Sequence, residues 1–266
     1  MSFGTGFRYK AKPWPVSDIT GRCQKSFFQE TSPGKKYVLV IGNSHLRSLV
    51  DGIVAMPEGC LRFGFLSNPG ACATVLRKEV MAAKVEVEPD LVCLMAPCNT
   101  GRMTIEEAGR EFGKLILSAV ERWPNVFVLD FPTRLSEDLD YQEMLRQEYN
   151  RVAVRFNVRY ISTAAQFPVK MTELWCRDGV HLSDETGMAR LVDLIWIASY
   201  LQLESPPPSL PQPPRKPAPP AKTFIPTLVV TGEVRVPRGK SSHDWTEVTS
   251  GMRKTTAEDF QGLLRI

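Results

Sequence analysis

A chain of 266 residues with 43% hydrophobic content has enough apolar material for one good-sized buried core plus appendages. No apolar run approaches the roughly 20 residues that a membrane-spanning helix needs, and the opening MSFGTGFRYKAKPWP lacks the apolar stretch of a secretory signal. The net charge of +4 is unevenly spread: residues 1–34 carry five Lys/Arg against two Asp/Glu, residues 35–204 nineteen against twenty-two, and residues 205–266 nine against five. A mildly acidic body therefore lies between basic flanks that are too dilute for a dense nucleic-acid-binding run.

In chain order, residues 1–34 form a polar N-terminal flank with prolines at 13, 15 and 33 and little periodicity, expected to be flexible. The body, 35–204, alternates two kinds of segment. Short apolar runs at 37–42 (YVLVIG), 61–66 (LRFGFL), 90–95 (DLVCLM), 126–131 (VFVLDF) and 158–162 (VRYIS) predict strands buried on both faces. Helices are predicted at 45–54, 71–84, 104–122, 139–156 and 184–201. In the third of these Ile105, Ala108, Phe112, Leu115, Ile116 and Ala119 recur at helical spacing. Residues 205–226, SPPPSLPQPPRKPAPPAKTFIP, predict an extended proline-rich linker, and 227–266 a tail with one strand-like run at 227–236, otherwise loose. Removing 205–266 is expected to leave the fold intact. No internal repeat is present.

Strands alternating with helices predict an α/β fold, a three-layer α/β/α sandwich with about five parallel strands and flavodoxin-like topology. Sites in such folds form beyond the C-terminal ends of the strands. The first strand ends in Gly42-Asn43-Ser44-His45, which puts Ser44 where a strand turns into a helix. Such a serine can be a nucleophile, although serine is equally a favoured helix N-cap. The late loop Cys176-Arg177-Asp178-Gly179-Val180-His181 offers an acid three residues before a base, or simply a turn. The chain has only three histidines, of which His243 lies in the tail and His45 adjoins the serine, so His181 is the natural base. Gly70 after the second strand could supply an unobstructed N–H, and Asn99 after the third a side-chain amide. Each also reads as an ordinary turn residue.

The segments GNSH, NPGA, PCNT and DGVH fall in the order of the four sequence blocks of the SGNH (GDSL-like) hydrolase superfamily, and the chain resembles that superfamily over about 36–202. The wording VLVIGNSHLRSLVDG, RWPNVFVLDFPTR and RDGVHLSDETGM, with a proline-rich segment after it, is similar to the esterase domain in the first-open-reading-frame proteins of vertebrate, fish-type LINE (non-LTR) retrotransposons. The resemblance implies a serine esterase with Ser44 as nucleophile, His181 as base and Asp178 orienting it. It implies an oxyanion hole from Ser44, Gly70 and Asn99, with Asn43 and His45 in support. The usual first block has Asp before the serine where this chain has Asn43. The usual third block is Gly-x-Asn-Asp where this chain has Pro97-Cys98-Asn99-Thr100.

The implied substrate is a short-acyl or lipid ester, with no cofactor and no metal. The alternative is a retroelement-derived SGNH-like binding module of weak or no activity, associating with nucleic acid through the basic flanks or with a membrane surface. The six cysteines form no CxxC pair and no zinc spacing, so they read as reduced thiols, with the expected location intracellular and cytoplasmic. There is no GxSxG elbow, no GxGxxG after the first strand and no GxxxxGK[ST] loop, which disfavours α/β-hydrolase, dinucleotide-binding and P-loop chemistry.

Overall fold

The computed structural model describes residues 3–30, 32–101 and 103–204. The proline-rich linker and the strand-like run at 227–236 lie outside the described residues. In chain order the elements are β1 (Lys25–Phe28), β2 (Lys36–Gly42), α1 (Arg47–Val50), β3 (Leu61–Ser67), α2 (Ala73–Ala82), β4 (Leu91–Met95), α3 (Ile105–Arg122), β5 (Val126–Leu129), α4 (Leu139–Arg155), β6 (Arg159–Ile161) and α5 (Gly187–Glu204). They build one six-stranded sheet in the order β1-β3-β2-β4-β5-β6. Strands β2 to β6 are parallel, and β1 pairs antiparallel with β3.

The apolar runs form central strands because both faces of the sheet are covered. Along β2, Val38 and Val40 enter one core, with residues of α1 and α5, while Leu39 and Ile41 enter the other, with residues of α2, α3 and α4. This is the two-residue alternation of a strand, with apolar side chains on both faces. Each such fully buried Val, Leu or Ile contributes about 1.5–3 kcal/mol by leaving water. In β4, Cys93 is one of these packing residues, and all six cysteines are free thiols. Helix α3 begins in a reciprocal cap: Thr104 Oγ1 accepts Glu107 N–H at 3.2 Å and Glu107 Oε2 accepts Thr104 N–H at 2.9 Å.

The N-terminal flank corrects the expectation of a loose segment. Its residues run along the domain: Thr5 N–H donates to Thr172 O at 3.0 Å, Gly6 N–H to Trp175 O at 2.8 Å, and Asp184 N–H to Phe7 O at 2.8 Å. Trp14 is buried and donates to Asp51 Oδ1 at 2.9 Å, while Tyr9 O–H donates to Asp51 Oδ2 at 2.6 Å. Residues 25–28 then add the antiparallel sixth strand. The approach at Gly6 is too close for any side chain: a Cβ there would sit 2.4 Å from Ser183 Cβ and 2.5 Å from Glu173 O. Gly6→Ala is therefore expected to loosen this arm, cutting thermal stability by about 1–3 kcal/mol as overpacked sites do. Limited proteolysis should then release the first residues; an uncleaved, unshifted variant would show that the arm bears no load.

The predicted helix at 45–54 is shorter in the structure, a single 3-10 turn at Ser44–Leu46 followed by the four residues of α1. It stops at Asp51, whose carboxylate is held by Tyr9, Trp14 and Lys25 from the arm. Likewise β5 ends at Leu129, where the expected strand ran to 131, because Asp130 turns its carboxylate into a buried network. No helix among the described residues is long and apolar enough to cross a membrane.

Candidate active site

The chain leaves β2 on one side to form β3 and returns to the other side to form β4, so the sheet order reverses beside β2. In open α/β sheets the crevice at such a reversal, outside the C-terminal strand ends, is where ligands bind. Ser44 follows β2, Gly70 follows β3 and Asn99 follows β4, which brings all three to that crevice.

Three strand ends are tied together at Asn43. Its Oδ1 accepts His45 N–H at 3.2 Å, its Nδ2 donates to Cys98 Sγ at 3.5 Å, and its carbonyl accepts Ser67 Oγ–H at 2.9 Å. A neutral amide in this position therefore braces the turn without bringing charge to Ser44. On the opposite wall the 176–181 loop closes on itself, with Cys176 N–H donating to His181 O at 2.9 Å. That loop is fastened to the segment after β5 by Leu135 N–H to Gly179 O at 2.6 Å and by Trp175 Nε1–H to Thr133 O at 2.6 Å.

The two walls meet in a hydrogen-bonded line. His181 Nε2 lies 2.9 Å from Ser44 Oγ, and His181 Nδ1 lies 2.7 Å from Asp178 Oδ2. Burial alone would push the Asp178 carboxyl upward. The hydrogen bonds from the His181 ring and backbone, Val180 N–H and Cys176 outweigh it and hold the group well below the usual carboxylate range. An ionised Asp178 can only accept, so Nδ1 carries the proton and Nε2 is left as the acceptor for Ser44 O–H. The His181 imidazole is pushed below its ordinary value, first by burial and then by the Arg8 cation, against the pull of Asp178. It is therefore neutral, and able to take a proton, at neutral pH. His45 is fully buried 5.9 Å from the His181 ring, and burial together with the neighbouring His181 and Arg8 keeps it neutral too.

Ser44, His181, Gly70 and Asn99 line one cavity of about 290 Å³. Gly70 has φ +71°, a left-handed conformation that favours glycine. Asn99 Nδ2 donates to Ala71 O at 3.3 Å. An amide nitrogen carries two hydrogens, so the second remains for a ligand. A larger cavity of about 960 Å³, lined among others by Met103, Phe131, Tyr141 and Leu145, shares Gly70, Cys98, Asn99 and Arg134 as a common wall. Cys176, Asp178 and His181 also form a group of three metal-ligand types with their ligand atoms within 4.8 Å of one another, but these atoms are already bonded among themselves.

Three arginines at the cavity, Arg8, Arg47 and Arg134, have no place in the sequence-based set. Arg8 comes from the N-terminal arm and donates to Ser44 O at 3.3 Å. Arg134 comes from the segment after β5 and lines both cavities. A basic residue in a stretch without periodicity offers no signal in the sequence; the backbone hydrogen bonds at Thr5, Gly6 and Phe7 and the burial of Trp14 show why the arm lies where it does.

No family model matches the sequence, and no curated protein matches it. Solved structures do resemble it. A candidate GDSL-like lipase from Parabacteroides merdae has TM-score 0.51 and 15% identity over 63% of this chain and 97% of its own. The lipase/acylhydrolase from Enterococcus faecalis has TM-score 0.49 and 14% identity over 63% of this chain and 96% of its own. The psychrotrophic esterase EstA from Pseudoalteromonas sp. has TM-score 0.49 and 12% identity over 63% and 99%. At 15% identity, what the Parabacteroides merdae structure shares with this chain is the fold, a three-layer α/β/α sandwich.

Proposed function

We propose that this chain is a carboxylic-ester hydrolase in which Ser44 is the nucleophile, His181 the general base and acid, and Asp178 the group that orients His181. The supporting observation is the unbroken line from Ser44 Oγ to His181 to Asp178, at 2.9 and 2.7 Å. His181 Nε2 takes the proton as Ser44 Oγ attacks the ester carbonyl. The oxyanion rests on the N–H groups of Ser44 and Gly70 and on the Asn99 amide, donors fixed before the charge develops. His181 then gives its proton to the leaving alcohol, and a water activated by the same imidazole releases the acid from the acyl-enzyme. Short-acyl or lipid esters are the proposed substrates, in keeping with the small cavity at the serine. The segments GNSH and DGVH and the wording around them also support derivation from a retroelement esterase domain.

The test is covalent labelling by a fluorophosphonate together with p-nitrophenyl acetate turnover across pH. Ser44 should be the modified residue. Since catalysis needs neutral His181, kcat/KM should fall as pH drops through the His181 pKa, with the midpoint below the ordinary histidine value of 6.5. No adduct and no turnover above buffer would leave the non-catalytic binding module as the better reading.

A further inference from the structure

The cavity at Ser44 is walled by three arginines, Arg8, Arg47 and Arg134, and by no carboxylate. One of the three is already engaged. The Arg47 guanidinium donates to Lys12 O, lies over the Trp14 ring at 4.5 Å, and has Asp51 within 4.0 Å. Arg8 has no carboxylate at ion-pair distance among the described residues, and its hydrogen bond goes to a neutral carbonyl, that of Ser44. Arg134 has only Glu137, at 3.8 Å, and that side chain is half exposed. The Arg134 Nε is buried without a hydrogen-bond partner. Burial lowers the Arg8 pKa by more than the surrounding Cys176, Tyr9, Asp178 and Asp184 raise it, so its charge is under-compensated where it stands.

We infer that the ester taken by this site carries an anionic oxygen-acid group, a phosphate or a carboxylate, held between Arg8 and Arg134 while its ester carbonyl lies against Ser44. The inference rests on the esterase reading and adds the class of substrate. Guanidinium groups suit it because their planar N–H forks match the oxygens of carboxylate and phosphate. The two arginines reach the cavity from separate segments, the N-terminal arm and the loop after β5, so the arm becomes part of the substrate site. The reaction is ordinary hydrolysis: water adds across the acyl C–O bond, the acyl part leaves as carboxylic acid and the anion-bearing part as alcohol.

Three acetyl esters of similar shape test it: methyl p-acetoxybenzoate, which is neutral, p-acetoxybenzoate, a carboxylate, and p-acetoxyphenyl phosphate. Each rate is divided by the rate of its hydroxide-catalysed hydrolysis to remove leaving-group differences. The normalised kcat/KM of at least one anionic ester should exceed that of the neutral ester by about tenfold, in line with a charge-assisted contact. Added salt should shrink that ratio in the unaltered protein. In Arg8→Gln and Arg134→Gln the ratio should fall toward one, whatever happens to the overall rate, because a general loss cancels in a ratio. Preference for the phosphate assigns a phosphorylated alcohol, and preference for the carboxylate a carboxylic acid. Ser44-dependent turnover with a ratio of one or less, or a ratio indifferent to salt and to both substitutions, overturns the anionic substrate and leaves the esterase standing. No Ser44-dependent turnover of any of the three overturns both.

Discussion

Ser44→Ala and His181→Ala are each expected to lower kcat for p-nitrophenyl acetate by about 10,000-fold or more, and the double variant to be little slower than either single one. The non-additivity is the informative part. Ser44 Oγ has His181 Nε2 as its 2.9 Å partner, so the nucleophile without its base, or the base without its nucleophile, loses the same chemical step. Two residues contributing independent packing would instead add. Neither change should move the thermal midpoint much, since Ser44 and His181 are only partly buried. Asp178→Asn should fall less, by about 1,000- to 10,000-fold, through the ring tautomer. The carboxylate accepts His181 N–H and Val180 N–H through one oxygen, at 2.9 and 2.8 Å, and the ring through the other, at 2.7 Å. An amide that keeps its oxygen on the backbone donors must turn its NH₂ toward Nδ1, which moves the ring proton to Nε2 and removes the acceptor for Ser44. Wild-type rates in Ser44→Ala with folding intact would end the nucleophile assignment.

What was legible in the sequence divides along a physical line. The central strands were legible because a strand buried on both faces must be apolar throughout, as β2 and β4 are. The residues Ser44, Gly70, Asn99, Asp178 and His181 were legible as strand-end or loop residues, since parallel topology sends all such ends to one edge of the sheet. What stayed hidden depends on contacts between distant segments. Strand β1 is four residues, Lys-Ser-Phe-Phe, three of them exposed, and an edge strand of that kind shows no periodic signal. Arg8, from the same flank, owes its place to Gly6 and Trp14, neither of which looks structural in a flank rich in proline and charge. Helix α1 stops early because Asp51 is claimed by Tyr9 and Trp14, more than thirty residues away in the chain. The buried ion pair at Asp130 and Arg146 was equally out of view, because an Asp at a strand end and an Arg on a helix are common and only their proximity is informative.

That pair carries the other large expected effect. Arg146→Met should destabilise the domain by about 3–5 kcal/mol, the usual cost of stranding one charge of a buried pair, or roughly 10 °C in thermal midpoint for a domain of this size. Asp130 is fully buried, with Arg146 Nε at 2.9 Å, and also accepts Tyr160 O–H at 2.7 Å and Phe131 N–H at 2.8 Å. Burial pushes its carboxyl upward, with the Arg146 charge the largest opposing influence, so losing that charge leaves the anion without its main support. Arg146→Met/Asp130→Asn should recover at least half of the loss, because the amide oxygen still accepts from Tyr160 and Phe131 while no charge remains buried. The effect should also reach the site. Arg146 donates to Thr133 Oγ1 at 2.9 Å and Phe131 O at 3.3 Å, and Thr133 O in turn accepts from Trp175 beside the Asp178 loop. The segment fixed by Arg146 thus carries Arg134 to the cavity and holds the loop bearing His181. Thermal melts of the two single variants and the double variant close the cycle; a single variant as stable as the unaltered protein would show that the pair is dispensable and that Arg134 is held by other means.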